Sequence, residues 1–237
     1  MRDFSRFESI ADTYDRNWRH IVPSYDEVHR VLVEVLGFTT TKRDARILDL
    51  GCGTGEIGRR CLSVLSDARW TLIDGAPGML RRAQAILLGR VERAVTGDFA
   101  DDEIWDGLEG FDAIVSTFAV HHLRDEEKMT LYARAAAALK PGGILLIGDL
   151  VRVRGDAEAG LYTAWVRATV ERNLGDGLLD PAFWERERRL PEDAHLPDYP
   201  AEVTDHLAWI AGQGLVPFRV WQHLGIALYG GRAKEAG

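Results

Sequence analysis

From residue 46 onward the chain repeats one unit, a short uninterrupted apolar run followed by a helix-like stretch. The runs fall at 46–50, 70–73, 91–95, 111–116 and 143–150. They are of strand length and lack polar alternation, as strands buried on both faces must be. Between them lie segments such as DEEKMTLYARAAAALK, which starts at the N-cap candidate Asp125 and stops at Pro141-Gly142-Gly143. Strand alternating with helix dictates a mostly parallel sheet with helices on both faces, an α/β fold.

The flanks are helical. In PSYDEVHRVLVEVLG, Ser24 and Glu27 stand in capping-box register, Val28, Val31, Leu32, Val35 and Leu36 share one face, and Gly37 is placed to close the helix. Residues 156–175, 181–190 and 200–213 read as helices, with Asp180-Pro181 as an N-cap and first-turn proline and Gly212 and Gly214 as stops. The chain ends in two strand-like segments, 215–221 and 225–229, spaced as a hairpin that adds an antiparallel pair to the sheet. The expected organisation is one domain over 1–237, with a helical cap at 1–37 and a helical lid inserted at 151–213.

Composition narrows the function classes. The polar start MRDFSRFES, and apolar runs well short of the ~20 residues of a membrane span, lead us to expect a soluble cytoplasmic protein with no membrane partner. Two cysteines, Cys52 and Cys61, cannot form a disulfide framework, and no histidine has the spacing of a metal-binding helix, so no metal site is expected. A net charge of −8 weighs against a broad grip on nucleic acid, although RVR at 152–154 and RERR at 186–189 leave an anionic or RNA substrate open.

The stretch ILDLGCGTGEIG, residues 47–58, is a strand running into glycines. Its Gly53-Thr54-Gly55-Glu56-Ile57-Gly58 also satisfies the G-x-G-x-x-G rule of dinucleotide-binding folds, a weak signal alone. Asp49 separates the readings. A carboxylate two residues before Gly51, at the mouth of the strand, repels a pyrophosphate and suits a ligand with a cationic amino group. S-adenosylmethionine, a sulfonium nucleoside with an ammonium-bearing tail, has that chemistry. Asp74, about twenty residues on, stands where a ribose-binding carboxylate belongs. Asp98 is placed for the adenine amino group and Phe99 for the ring face. Gly51, Cys52, Gly53, Thr54 and Gly55 complete the turn, and Gly75 and Met79 of LIDGAPGML extend the second strand's end.

The segments ILDLGCGTG, LIDGAPGML, GDFAD, FDAIVSTFAVHHL and LKPGGILLIGDL, in this order, resemble the class I S-adenosylmethionine-dependent methyltransferases over about residues 46–150, and VPFRVWQHLGIALYGG resembles their last two strands. The resemblance implies a Rossmann-like seven-stranded sheet with the last strand antiparallel, and S-adenosylhomocysteine as product. The N-terminal FESIADTYDRNWRHIVPSYDEVHRVL is similar to a narrower bacterial group distantly related to carboxy-S-adenosylmethionine synthase of the tRNA wobble-uridine pathway. There the tyrosine of a P-x-Y segment touches the cofactor, which implies that role for Tyr25. The arginine by which the synthase holds its carboxylate aligns near Pro191, with only Arg188 and Arg189 close by, and this departure favours ordinary methyl transfer.

Thr117 and Phe118, just past the fourth strand, are expected beside the cofactor's methionine part. His121 and His122 follow, where methyl acceptors lie, and an imidazole could take the acceptor's proton. Tyr14, Trp18, Tyr162, Trp165 and Trp184 either line a substrate pocket or form the core of the cap. Three readings follow: methyl transfer to a small-molecule acceptor, modification of tRNA or of the cofactor itself, and a non-enzymatic cofactor-binding partner protein. A homodimer stays open.

Overall fold

In the first strand, Arg46–Leu50, neighbouring side chains take opposite sides: Ile47 joins one apolar core while Leu48 and Leu50 join another. A central strand covered on both faces requires this division. A computed structural model describes residues 2–40, 42, 44–189 and 196–235, and shows that strand third in a sheet of seven, with neighbours on both sides. The helices before it are α1 (Ser5–Ile10), α2 (Tyr14–Trp18) and α3 (Tyr25–Thr39). The alternating part runs β1 (Arg46–Leu50), α4 (Glu56–Cys61), β2 (Arg69–Asp74), α5 (Pro77–Ile86), β3 (Val91–Thr96), β4 (Phe111–Thr117), α6 (Asp125–Ala138) and β5 (Leu139–Leu150). Then come α7 (Gly155–Gly175), α8 (Pro181–Glu187), α9 (Val203–Gly212) and the hairpin β6 (Val216–His223) and β7 (Ile226–Arg232).

The sheet order is β3-β2-β1-β4-β5-β7-β6, with β7 antiparallel to both of its neighbours and the first five strands parallel. The order reverses between β1 and β4, and such a switch point opens a crevice at the carboxyl ends of the strands. Val28, Leu32 and Leu36 of α3 pack with Cys61, Leu80 and Ala83 on one face. Leu131, Tyr132 and Ala135 of α6 and Val203 and Ile210 of α9 cover the other. Helices α3 and α9, expected in the cap at 1–37 and the lid at 151–213, thus cover the sheet, and α7 and α8 pack instead with α1, α2 and the turn after them.

The cap is stitched from chain segments far apart in sequence. Ile21 packs with Val170, Leu179 and Phe183. Asn173 donates to the carbonyl of His20 at 2.7 Å, and Arg6 of α1 forms an ion pair with the buried Glu187 of α8. Trp18 and Trp184 lie against this cluster, the cap-core role foreseen for them.

Local signals misplace several boundaries. Ser24 precedes α3 in the left-handed conformation (φ 55°) and its side chain makes no capping bond, so the capping box with Glu27 does not form. The helix runs through Gly37 to Thr39. Helix α6 starts at Asp125, with Arg124 at the N-cap and its backbone N–H donating to Glu127 at 2.7 Å. Strand β5 starts at Leu139: Phe111 pairs with Leu139, the register then shifts, and Ala113 pairs with Ile144, so Pro141 and Gly142 lie in an irregularity within the strand. Helix α8 is assigned through Glu187, and position 190 of the expected helix lies outside the described residues.

Candidate active site

The turn from β1 into α4 is made by Gly51, Gly53 and Gly55, all at positive φ (65°, 52° and 86°). At Gly51 the backbone also needs the space: a Cβ there would lie 2.6 Å from Ala119 Cβ. At Gly53 nothing stands within 4 Å of the Cβ position, so this part of the turn faces open space. That space is a cavity at the carboxyl ends of β1, β2 and β4, where open α/β sheets bind their ligands.

This cavity is lined by Gly51, Cys52, Gly53, Thr54, Asp74, Gly75, Met79, Asp98 and Phe99, together with Tyr25 of α3 and Thr117 and Phe118 at the end of β4. Asp74 accepts from the backbone N–H groups of Gly53 and Ala76, both at 2.8 Å, which fixes its carboxylate in one orientation. Burial pushes its pKa up to about 6, against the pull of these two bonds. Asp98 accepts from the backbone of Ala100 at 2.9 Å and pairs with Arg2 at 2.7 Å. Arg2, Phe4 and Phe7 also line the cavity, with the Phe4 ring lying where a Cβ of Gly75 would point and Phe7 edge-on to His122. Tyr25 stacks on Phe118 (centroids 5.4 Å, planes 8° apart), and Phe118 itself has φ 50°, a strained conformation for a bulky residue and a mark of functional sites. Thr54 donates to Asp15 at 2.5 Å, tying the turn to α2. Cys52 is no nucleophile, because burial and then the charges of Asp74 and Asp49 hold its thiol well above the usual range.

Two expected contacts are displaced. Gly55 turns away from the cavity, its Cβ position 2.9 Å from the Ala83 backbone, and serves the packing of α4 on α5. Asp49 lies below the glycine turn and outside the cavity wall, because a β1 side chain at this register enters the Ile47 face. It is 0% exposed and neither carboxylate oxygen has a hydrogen-bond partner. Burial, and then the charge of Asp74, raise its pKa to about 8.

His122, Leu123 and Leu196 are part of the lining as well. His121 sits behind, where Nδ1 meets Asp149 of β5 at 2.6 Å and its backbone N–H donates to the other Asp149 oxygen at 2.9 Å. Burial alone would lower the pKa of His121, but Asp149, and then Asp198, outweigh it and raise it. The same partnership holds Asp149 low despite its burial. His122 is held low by burial and by His121 beside it, against the pull of Asp198. His29 contacts Thr117 Oγ1 at 3.2 Å, and burial lowers its pKa to about 4. Tyr14 also lines the cavity, whereas Tyr162 and Trp165 do not.

Arg2, Phe4, Phe7, His29 and Asp149 escaped the sequence reading. The D-L ending of LKPGGILLIGDL, one acid at the tip of an apolar strand, was the one signal for Asp149. The basic clusters take their bland reading: Arg188 and Arg189 pair with Glu185, Arg152 with Asp205 and Arg154 with Glu202, all outside the cavity. The expected alignment at Pro191 lies outside the described residues.

Sheet order, glycine turn and acid-tipped neighbouring strands define the class, a Rossmann-like methyltransferase fold. A methyltransferase-domain family model matches residues 47–143. The chain is 30% identical over 168 residues to an uncharacterised methyltransferase of Bacillus cytotoxicus, covering 71% of this chain and 74% of that protein. It is 35% identical over 150 residues to the biotin biosynthesis bifunctional protein BioCD of Bordetella avium, 62% of this chain but 30% of that one. It spans 65% of an uncharacterised methyltransferase of a Geobacillus species. The solved DhpI–SAH complex superposes with a TM-score of 0.63 at 17% identity, covering 98% of this chain and 95% of DhpI, a likeness of fold. The chain belongs to the class I S-adenosylmethionine-dependent methyltransferases. Among the described residues no helix is long and apolar enough to cross a membrane.

Proposed function

We propose that the protein transfers the methyl group of S-adenosylmethionine to a small-molecule acceptor by direct in-line displacement. One observation carries this reading: one cavity is lined by the glycine turn, by the carboxylates of Asp74 and Asp98 and by His122, with His121 directly behind His122. The residues suit the cofactor. Asp74 retains acceptor capacity for ribose hydroxyls beyond its two backbone bonds, and Asp98 with Phe99 suits an adenine edge and face. Asp49 is a buried carboxylate without a partner, and an ammonium at the glycine turn would supply the missing charge. The solved complexes of DhpI with SAH and with SAM support the same choice of ligand.

When bound, the cofactor supplies an already activated sulfonium methyl. The chain's tasks are then alignment, exclusion of water and handling of the acceptor's proton, and alignment alone can lower a barrier by roughly 7–11 kcal/mol. Phe7, Tyr14, Phe118, Leu123 and Leu196 give the cavity apolar walls, with Phe7 of α1 against His122 and Tyr14 drawn from α2. His122, backed by the His121–Asp149 pair, is placed to receive the proton. The RNA reading loses its support because the RERR arginines pair with Glu185 and Glu187 outside the cavity.

Calorimetry with S-adenosylhomocysteine, NAD and ATP tests the ligand. Saturable binding of the first and none of the phosphate-bearing ligands is expected. NAD binding without S-adenosylhomocysteine binding would overturn the proposal.

A further inference from the structure

The loop after α8 returns to the histidine pair and is fastened there. Tyr199 donates its backbone N–H to the His121 carbonyl at 2.7 Å, its own carbonyl accepts from the wholly buried Lys128, and Arg152 donates to the Ala201 carbonyl at 2.9 Å. These bonds hold Asp198 against both rings. Its carboxylate lies 3.1 Å from His122 Nδ1 and 3.6 Å from His121 Nε2, and one donor atom from each of the three residues lies within 4.8 Å of the others.

We propose that His121, His122 and Asp198 form a binding site for one divalent transition-metal ion of the zinc class beside the cavity. Two imidazole nitrogens and one carboxylate suit such an ion and not magnesium or calcium, which prefer all-oxygen shells. The spacing fits as well. Ligands about 2.0–2.1 Å from a tetrahedral metal stand about 3.3 Å apart, and the two His–Asp separations bracket that value. His121 carries the outer-shell partner typical of metal-bound imidazoles: its Nδ1 bonds the buried Asp149 carboxylate, which fixes the ring and directs the Nε2 lone pair toward the site. Three protein ligands leave a position open, and His122 and Leu196 border the cavity on that side.

Sequence spacing could not show this, because Asp198 lies 76 residues beyond His122 in the chain. The role of the ion rests on the methyl-transfer reading; the existence of the site does not. An acceptor hydroxyl in the open position would lose its proton to solvent water as the ion stabilises the alkoxide. That oxygen's electron pair would then form the bond to the methyl carbon, and the sulfur–carbon pair would leave with the thioether. In the metal-loaded protein the histidines hold the ion, and the charge of the ion replaces imidazole basicity.

The test uses the full chain, stripped with a chelator and without cofactor. It is titrated with Co²⁺, read by visible d–d absorption, and with Zn²⁺ against a chromophoric indicator. One equivalent of each should bind, with affinity at least 100-fold weaker in Asp198→Asn and about 10–100-fold weaker in Asp149→Asn. Asp198 is 54% exposed, so its variant should fold, and unchanged S-adenosylhomocysteine binding by that variant verifies it. No stoichiometric binding, or equal affinity in Asp198→Asn, overturns the site and leaves an ion pair only. Metal binding without S-adenosylhomocysteine binding would uphold the site and remove the methyl-transfer reading.

Discussion

Replacing Asp49 with Asn should stabilise the cofactor-free protein while destroying its affinity for the cofactor. In the folded chain the carboxyl is fully buried and unpartnered, with its pKa raised to about 8 from an ordinary 3.8. Between these two values the folded state therefore keeps a proton that the unfolded chain has released. Stability must then fall as pH rises through the window, by about 1.4 kcal/mol per pH unit, and flatten below 3.8 and above 8. At pH 7 the cost reaches about 4 kcal/mol. Asparagine keeps the size and a neutral polar head but removes the titration. The variant should match the wild type near pH 4 and gain progressively above it, with a Tm on the order of 10 °C higher at pH 7. Thermal unfolding of both proteins from pH 4.5 to 8 isolates this one group, because all others titrate alike in the pair. A constant gap across pH, or a variant less stable at pH 7, would refute the electrostatic account. Undiminished S-adenosylhomocysteine binding by the variant would refute the role of Asp49 opposite an amine.

Cofactor affinity of the wild type should weaken as pH falls through about 6, where Asp74 gains a proton and loses acceptor capacity, and Asp74→Asn should lower it at least tenfold; calorimetry across pH 5 to 8 reads both. Gly51→Ala should cost about 1–3 kcal/mol of stability and weaken cofactor binding, since its Cβ would meet Ala119 at 2.6 Å on a left-handed backbone; urea unfolding measures the first and calorimetry the second. Glu187→Gln leaves Arg6 half of a buried ion pair and should loosen the cap by about 3–5 kcal/mol, seen as faster hydrogen exchange in α1 and α8 with the sheet unchanged.

What the sequence made legible were features enforced by short-range periodicity. Strands buried on both faces appear as unbroken apolar runs, so β1, β2, β3 and β4 emerged within a residue of their observed bounds. The glycine turn and the strand-end acids Asp74 and Asp98 are likewise local, because a sharp strand-to-helix turn needs positive φ at fixed offsets. Asp49 was legible as an acid but not in its depth, since whether a penultimate strand residue faces ligand or core depends on the register of the neighbouring strands. Ser24 looked like an N-cap because its spacing to Glu27 was right. Backbone conformation decides capping, and the left-handed turn after Pro23 carries the hydroxyl away. The contacts of Arg2 with Asp98, of Asp149 with His121 and of Asp198 with both histidines join segments tens of residues apart, and no local pattern announces them.

The cap draws on both the beginning and the later part of the chain: Ile21 and Arg6 find their partners only at Val170, Phe183 and Glu187. On a ribosome working at about 5–20 residues per second, Arg6 and Ile21 emerge roughly 10–30 seconds before Val170, Phe183 and Glu187. Phe4, Phe7 and Trp18 wait less, because they also pack with Ala76 and Met79, so the first helices can dock on α5 while the cap closes only once α7 and α8 are made.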